Sequence, residues 1–183
     1  MKPFATAAAL IVLLSSSLGA QEQPTGSQAT KEHEFLKKFV GDWESVGKTV
    51  AAPGQESMTC GGKIHNKMVG GFWVVSEMKS EMSGMKFTAI QTIGYDEKSK
   101  KYVGTWIDSM MNHMWKYEGS VDKTGKILTL DTEGPDFFKP GATAKYRDIY
   151  EFKSDDHILT TSEMQGKDGK WITFMTGDTK RKK

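Results

Sequence analysis

GYDEKSKKYVGTWIDSM, residues Gly94 to Met110, contains one strand end, one turn and one whole strand. Asp96, Glu97, Lys98, Ser99 and Lys100 are polar, turn-compatible and poor strand formers. Lys101 to Met110 then alternates between two faces, as a half-buried strand must. One face carries Tyr102, Gly104, Trp106 and Asp108, and the other Val103, Thr105, Ile107 and Ser109. Both faces hold apolar bulk, and the first ends in a carboxylate beside a tryptophan. Such a strand predicts the wall of a barrel.

The same period of two runs outward in both directions from Gly41 onward. About ten strands are expected, approximately Gly41 to Val50, Met58 to Lys67, Gly71 to Met82, Met85 to Tyr95, Lys101 to Met110, His113 to Val121, Lys126 to Asp131, Thr143 to Lys153, Asp156 to Met164 and Trp171 to Lys180. Tight hairpins fit the separators Ser83-Gly84, Asp122 to Gly125, Ser154-Asp155 and Gly166 to Gly169, whose residues tolerate positive φ or bond to their own backbone. Thr132 to Ala142, with Pro135, Pro140, Phe137 and Phe138, is long enough to be a lid or flap. Short, regularly spaced strands without interleaved helices indicate an all-β antiparallel fold. No middle strand is marked by the Pro and charge that blunt exposed edges, so an up-and-down β-barrel is expected rather than an open sheet. Before the strands, Thr30 caps a short helix, Lys31 to Val40, whose Phe35, Leu36, Phe39 and Val40 form one apolar stripe. A helix of that length must dock to persist.

Residues 1–20 combine Lys2, an apolar run from Phe4 to Leu14 and small residues from Ser15 to Ala20, the pattern of a secretory signal peptide. The run is too short to span a bilayer, so the mature chain is expected to have no membrane span and to be periplasmic or secreted. Gln21 to Thr30 reads as a flexible linker, which leaves residues 31–183 as a single barrel domain. Loss of residues 1–20 takes Lys2 from the 25 basic residues and nothing from the 23 acidic ones, leaving 24 against 23 and no attraction for nucleic acid. The basic end Lys180 to Lys183 reads as a frayed terminus. With Cys60 as the single cysteine no internal disulfide can close, so packing must supply the stability, and Cys60 is expected to be buried or to link chains. A monomer or weak dimer is expected.

The motif FVGDWE at Phe39 to Glu44, a helix running into Gly-x-Trp at the first strand, is similar to the opening of lipocalin-like (calycin) barrels, in which that tryptophan closes one end. Together with GGFW at Gly70 to Trp73, GYDEKSKKYVGTWIDSM at Gly94 to Met110 and EGSVDKTGKILTL at Glu118 to Leu130, the chain from about Glu32 to Lys180 resembles the secreted bacterial family catalogued as domain of unknown function 1579. The resemblance implies a lipocalin-like barrel and no reaction. Lipocalins pair the Gly-x-Trp with a late arginine; here Arg147 and Arg181 are the only arginines, and neither stands in a clear copy of that motif.

The more charged side of each strand should face water. That rule turns Tyr102, Trp106 and Asp108 inward, and likewise His113, Trp115 and Tyr117, and Tyr146, Asp148, Tyr150 and Phe152. The candidate ligand-contacting residues are Trp106, Asp108, His113, Trp115, Tyr117, Tyr146, Asp148 and Tyr150. An aromatic wall with a few polar groups suits a small apolar or amphipathic ligand. It suits a filled structural core equally, because barrels of this size do either. No catalytic residue, cofactor or metal set is nominated. His33, His65, His113 and His157 lack zinc spacing, although one inward histidine suits axial ligation of haem. Eleven methionines, with Met110, Met111 and Met114 flanking His113, have the softness that copper(I) selects, and serve equally as gap-fillers. No nucleophile elbow, phosphate loop or dinucleotide fingerprint is present, and a hydrolase would have to rest on Asp108 with Asp148.

Overall fold

A computed structural model describes residues 28–50 and 56–183. The expected signal segment and residues 21–27 of the expected linker lie outside the described residues. Helix α1, Lys31–Leu36, continues as a tighter turn, Lys37–Phe39, and the chain then forms strands β1 (Gly41–Thr49), β2 (Thr59–Val69), β3 (Trp73–Met82), β4 (Met85–Asp96) and β5 (Lys101–Asp108). After these come β6 (Trp115–Val121), β7 (Ile127–Pro135), β8 (Thr143–Ser154), β9 (His157–Gln165) and β10 (Trp171–Arg181). Each strand pairs antiparallel with its chain neighbours, and β1 pairs with β10, so the ten strands close a barrel without edges.

Local chemistry accounts for the turns. In the β4–β5 turn the Asp96 carboxylate accepts hydrogen bonds from the amides of Lys98 and Ser99, each at 3.1 Å, and from the Ser99 hydroxyl at 2.6 Å. Gly94, Tyr95 and Asp96 themselves belong to β4. Ser83 and Gly84 both take positive φ, 50° and 84°, which matches the twist of a two-residue hairpin between the paired Met82 and Met85.

One end of the barrel is solid. Trp43, Val74, Ile93, Leu128 and Ile158 point inward there, and α1 covers them with Phe35 and Leu36. Six residues cannot hold a helix in water, so burial of these side chains, roughly 1.5–3 kcal/mol each, holds α1 in place. Trp43 Nε1 and Asn66 Nδ2 both donate to the Phe39 carbonyl, at 2.7 and 2.8 Å, fastening the segment that follows the helix.

The C-terminal reading is corrected by this end of the barrel. Lys180 and Arg181 are strand residues of β10, not a frayed tail. The Arg181 guanidinium lies 4.1 Å from the Trp43 ring and donates to the carbonyls of Val40, Lys38 and Asp155 and to the Asp156 carboxylate. Arg181 thus covers the tryptophan of the Gly-x-Trp motif, delivered by pairing of Trp43 with Arg181 across the closure. Two further expectations also change. The helix stripe is split, since only Lys31–Leu36 is α-helical. The presumed flap is shorter, because β7 runs through Thr132 to Pro135 in register with Thr143 to Tyr146 of β8.

Candidate functional site

Beyond the solid end, the barrel interior opens into a cavity of about 420 Å³. Its volume comes from small residues that pair across β1, β2 and β10: Ser45 lies between Gly62 and Thr179, and Gly47 between Cys60 and Gly177. The opposite wall is aromatic and acidic, built from Trp106, Asp108, Trp115, Tyr117, Tyr146, Asp148 and Tyr150. Gly134 makes room for that wall, since a Cβ there would sit 2.3 Å from the Trp115 ring. Register in β10 slips between Thr173 and Met175, which is how Phe174 joins Tyr146 and Phe137 at the mouth.

The floor is a hydrogen-bonded bridge across the lumen. Gln91 of β4 and Tyr150 of β8 exchange two bonds, 2.9 Å from the amide nitrogen and 3.2 Å to the amide oxygen. Phe39 packs edge-on against Tyr150 from below at 5.6 Å. The cavity lining also includes Phe39 itself, together with Trp43 and Ile158 of the packed end.

Asp148 is the deepest charged group of the wall. Its carboxylate accepts from the Tyr117 hydroxyl at 2.8 Å and the Ser162 hydroxyl at 2.5 Å, and among the described residues no cation pairs with it. It lies deep in the barrel yet keeps accessible surface, because that surface faces the cavity. Desolvation raises the Asp148 pKa above the ordinary carboxylate range, outweighing the two hydroxyl bonds that lower it. Desolvation, with the Asp148 charge, also raises the phenol pKa values of Tyr117 and Tyr150. Among the described residues no Lys, Arg or His lines the cavity.

A stability prediction follows from the raised pKa. In the unfolded chain Asp148 titrates near 3.8, and in the folded chain higher. As pH rises the unfolded state loses this proton first, so stability falls from about pH 4 upward until the folded group also ionises. Asp148→Asn is expected to flatten that slope in urea unfolding measured between about pH 4 and about pH 7. A slope equal to wild type would place the penalty on another group.

Asp108 lines the cavity as its facing suggested, but its carboxylate is taken up by neighbouring groups of the chain. Its Oδ2 accepts from Trp106 Nε1 at 2.8 Å, and its Oδ1 from the amides of Met110 and Met111 at 2.7 and 3.1 Å. It organises the β5–β6 loop and locks Trp106 in the wall. No hydrogen bond joins it to Asp148, although both carboxylates line the cavity. His113 is corrected as well: it precedes β6, packs edge-on against Trp115 at 4.9 Å and is not part of the cavity lining. His33 bonds to Thr30 beside α1, His65 and His157 bond to Asp42 and Asp178 on the outside, and the buried His113 Nε2 has no hydrogen-bond partner among the described residues. Met110 and Met111 do line the mouth, whereas Met114 is exposed.

Sequence reasoning passed over Gln91, Ser162, Asn66, Thr132 and Gly134. Each stands in phase with inward neighbours, as Gln91 does with Ala89 and Ile93, and that alternation was the available signal. Asn66 Oδ1 and Thr132 Oγ1 are buried at the lining without a protein partner. Cys60 is buried there too, its Sγ 3.1 Å from Ser80 Oγ.

These features define a lipocalin-like β-barrel, plugged at one end by a helix and hollow toward the other. The chain belongs to the family described as protein of unknown function DUF1579, whose model matches residues 28–181. In fold it is similar to the S-type phycobiliprotein lyase CPES of Guillardia theta, with 15% identity, 82% of this chain and 92% of that one covered, and a TM-score of 0.54. It is also similar to Rv2717c of M. tuberculosis, with 10% identity, coverage of 85% and 100%, and a TM-score of 0.60. At such identities the likeness concerns fold alone. No curated protein matches the chain in sequence.

Proposed function

We propose that this protein is exported, as a monomer or weak dimer, and binds a small apolar or amphipathic molecule in the barrel cavity. The observation that carries the reading is the hollow itself: an aromatic wall opposite a wall of Ser, Gly and Thr, with Asp148, Tyr117, Gln91 and Asn66 as convergent polar groups. Apolar area provides affinity in such a site, and a few polar groups orient the ligand. Trp106, Trp115, Tyr117, Tyr146, Tyr150 and Asp148 would make the contacts. Export rests on the Lys2, Phe4 to Leu14 and Ser15 to Ala20 pattern.

The test fills the hollow. Thr160 lines the cavity over Gly177, where a Cβ would lie 2.3 Å from the Thr160 hydroxyl, so a larger side chain at 160 extends into open volume. The neutral dye N-phenylnaphthylamine is expected to bind wild type with a saturable fluorescence rise. Thr160→Trp should weaken that binding at least about tenfold, a change of roughly 1.4 kcal/mol, with thermal stability retained. No saturable signal with wild type, or equal affinity in the variant, would overturn the proposal.

A further inference from the structure

We infer that the ligand class is cationic: an aromatic or aliphatic body carrying a protonated amine, whose ammonium group docks on the Asp148 carboxylate inside the cavity. This deepens the binding reading above and rests on it. The first support is the sign of the lining. Its charged residues are Asp108 and Asp148, and no Lys, Arg or His offsets them among the described residues. Asp108 is already held by an indole and two backbone amides. Asp148 is not so engaged, since each of its oxygens takes one hydroxyl and keeps lone-pair capacity toward the void.

The second support is the environment of that carboxylate. A charge removed from water and left without a counter-ion is costly, and an entering cation relieves the cost. Trp106, Trp115, Tyr117 and Tyr150 line the same cavity, and the face of an aromatic ring attracts an ammonium and repels an anion. The third is the orphan acceptor Asn66 Oδ1, which adds a second place for an N–H donor in the same lumen. An anionic ligand such as a carboxylate would meet no basic side chain and two acids.

Binding should depend on pH in a defined direction. The titratable groups lining the cavity with Asp148 are Tyr117 from β6, Tyr146 and Tyr150 from β8, Asp108 from β5 and Cys60 from β2; Ser162 of β9 and Gln91 of β4 are neutral. Only ionised Asp148 anchors an ammonium, so amine affinity rises with pH as Asp148 loses its proton, while the affinity of a neutral ligand stays level.

Three probes with one aromatic body separate the possibilities: naphthylethylamine, naphthylethanol and naphthylacetic acid, titrated calorimetrically into wild type and Asp148→Asn. The amine is expected to bind wild type at least about tenfold more tightly than the alcohol, with the acid weakest. Asp148→Asn, which keeps the shape of the side chain and removes its charge, should bring the amine to the level that the alcohol shows in the same variant. If amine and alcohol bind wild type alike, the cationic assignment is overturned while cavity binding stands. If none of the three binds and the neutral dye also fails, the binding reading itself falls.

Discussion

Trp43→Ala is expected to lower the unfolding free energy by about 3–5 kcal/mol, the range for removing a large aromatic from a packed core. Trp43 is only 1% exposed and holds three neighbours together. Its indole N–H fastens the Phe39 carbonyl, its face carries the Arg181 guanidinium, and its strand closes the barrel by pairing with both β2 and β10. Removing the ring leaves a cavity, strips Arg181 of its platform and frees the segment after α1. Urea unfolding followed by far-ultraviolet circular dichroism checks this, because the fluorescence changes with the tryptophan itself. A loss under about 1 kcal/mol would show that helix docking seals this end without the tryptophan.

The second large effect is expected inside the quoted hairpin. At Gly104 a Cβ would lie 2.0 Å from the Thr92 carbonyl oxygen, a clash with backbone that no rotamer relieves. The β4 chain bends over β5 here, with Ile93 paired to Gly104 and Thr92 bonded through its hydroxyl to Thr105 at 2.8 Å. A glycine at such a close approach is required by space rather than by φ. Gly104→Val should cost at least about 3 kcal/mol, beyond ordinary overpacking, because two strands must separate. Gly61→Ala in β2 is the matched control: nothing lies within 4 Å of its Cβ position and no positive φ is recorded there. That variant should gain a few tenths of a kcal/mol or stay neutral, through reduced unfolded-chain entropy. Equal stability of the two variants would show that the β4–β5 approach relaxes freely.

Much of the architecture could be read from local pattern. Period two, interrupted by Ser83-Gly84 or Asp122 to Gly125, depends on neighbours a few residues apart, and the ten expected strands match those of the barrel to within two residues at each end, save the end of β7, which runs on to Pro135. Charge also set the facing of β5, β6 and β8, so Trp106, Trp115, Tyr117, Tyr146, Asp148 and Tyr150 could be grouped before their partners were known. The misreadings have one physical origin. His113 sits in the segment between β5 and β6, and alternation stops defining direction there. Thr132 to Pro135 looked like loop because of its proline, yet Pro135 ends a strand, where a missing amide costs little.

The sequence by itself determined the strand count, the hairpins, the antiparallel order and the family, because alternation, turn chemistry and motif spacing are short-range properties. Tertiary structure alone decided that the barrel is hollow. Free volume is the sum of side-chain sizes contributed by strands distant in the chain, and Ser45, Gly62, Thr160 and Gly177 become one wall only after closure. Tertiary structure likewise decided that Asp148 meets Tyr117 and Ser162, that Gln91 and Tyr150 bridge the lumen, and that Arg181 returns to cover Trp43. Those contacts arise from register around a closed ring, which no local pattern encodes.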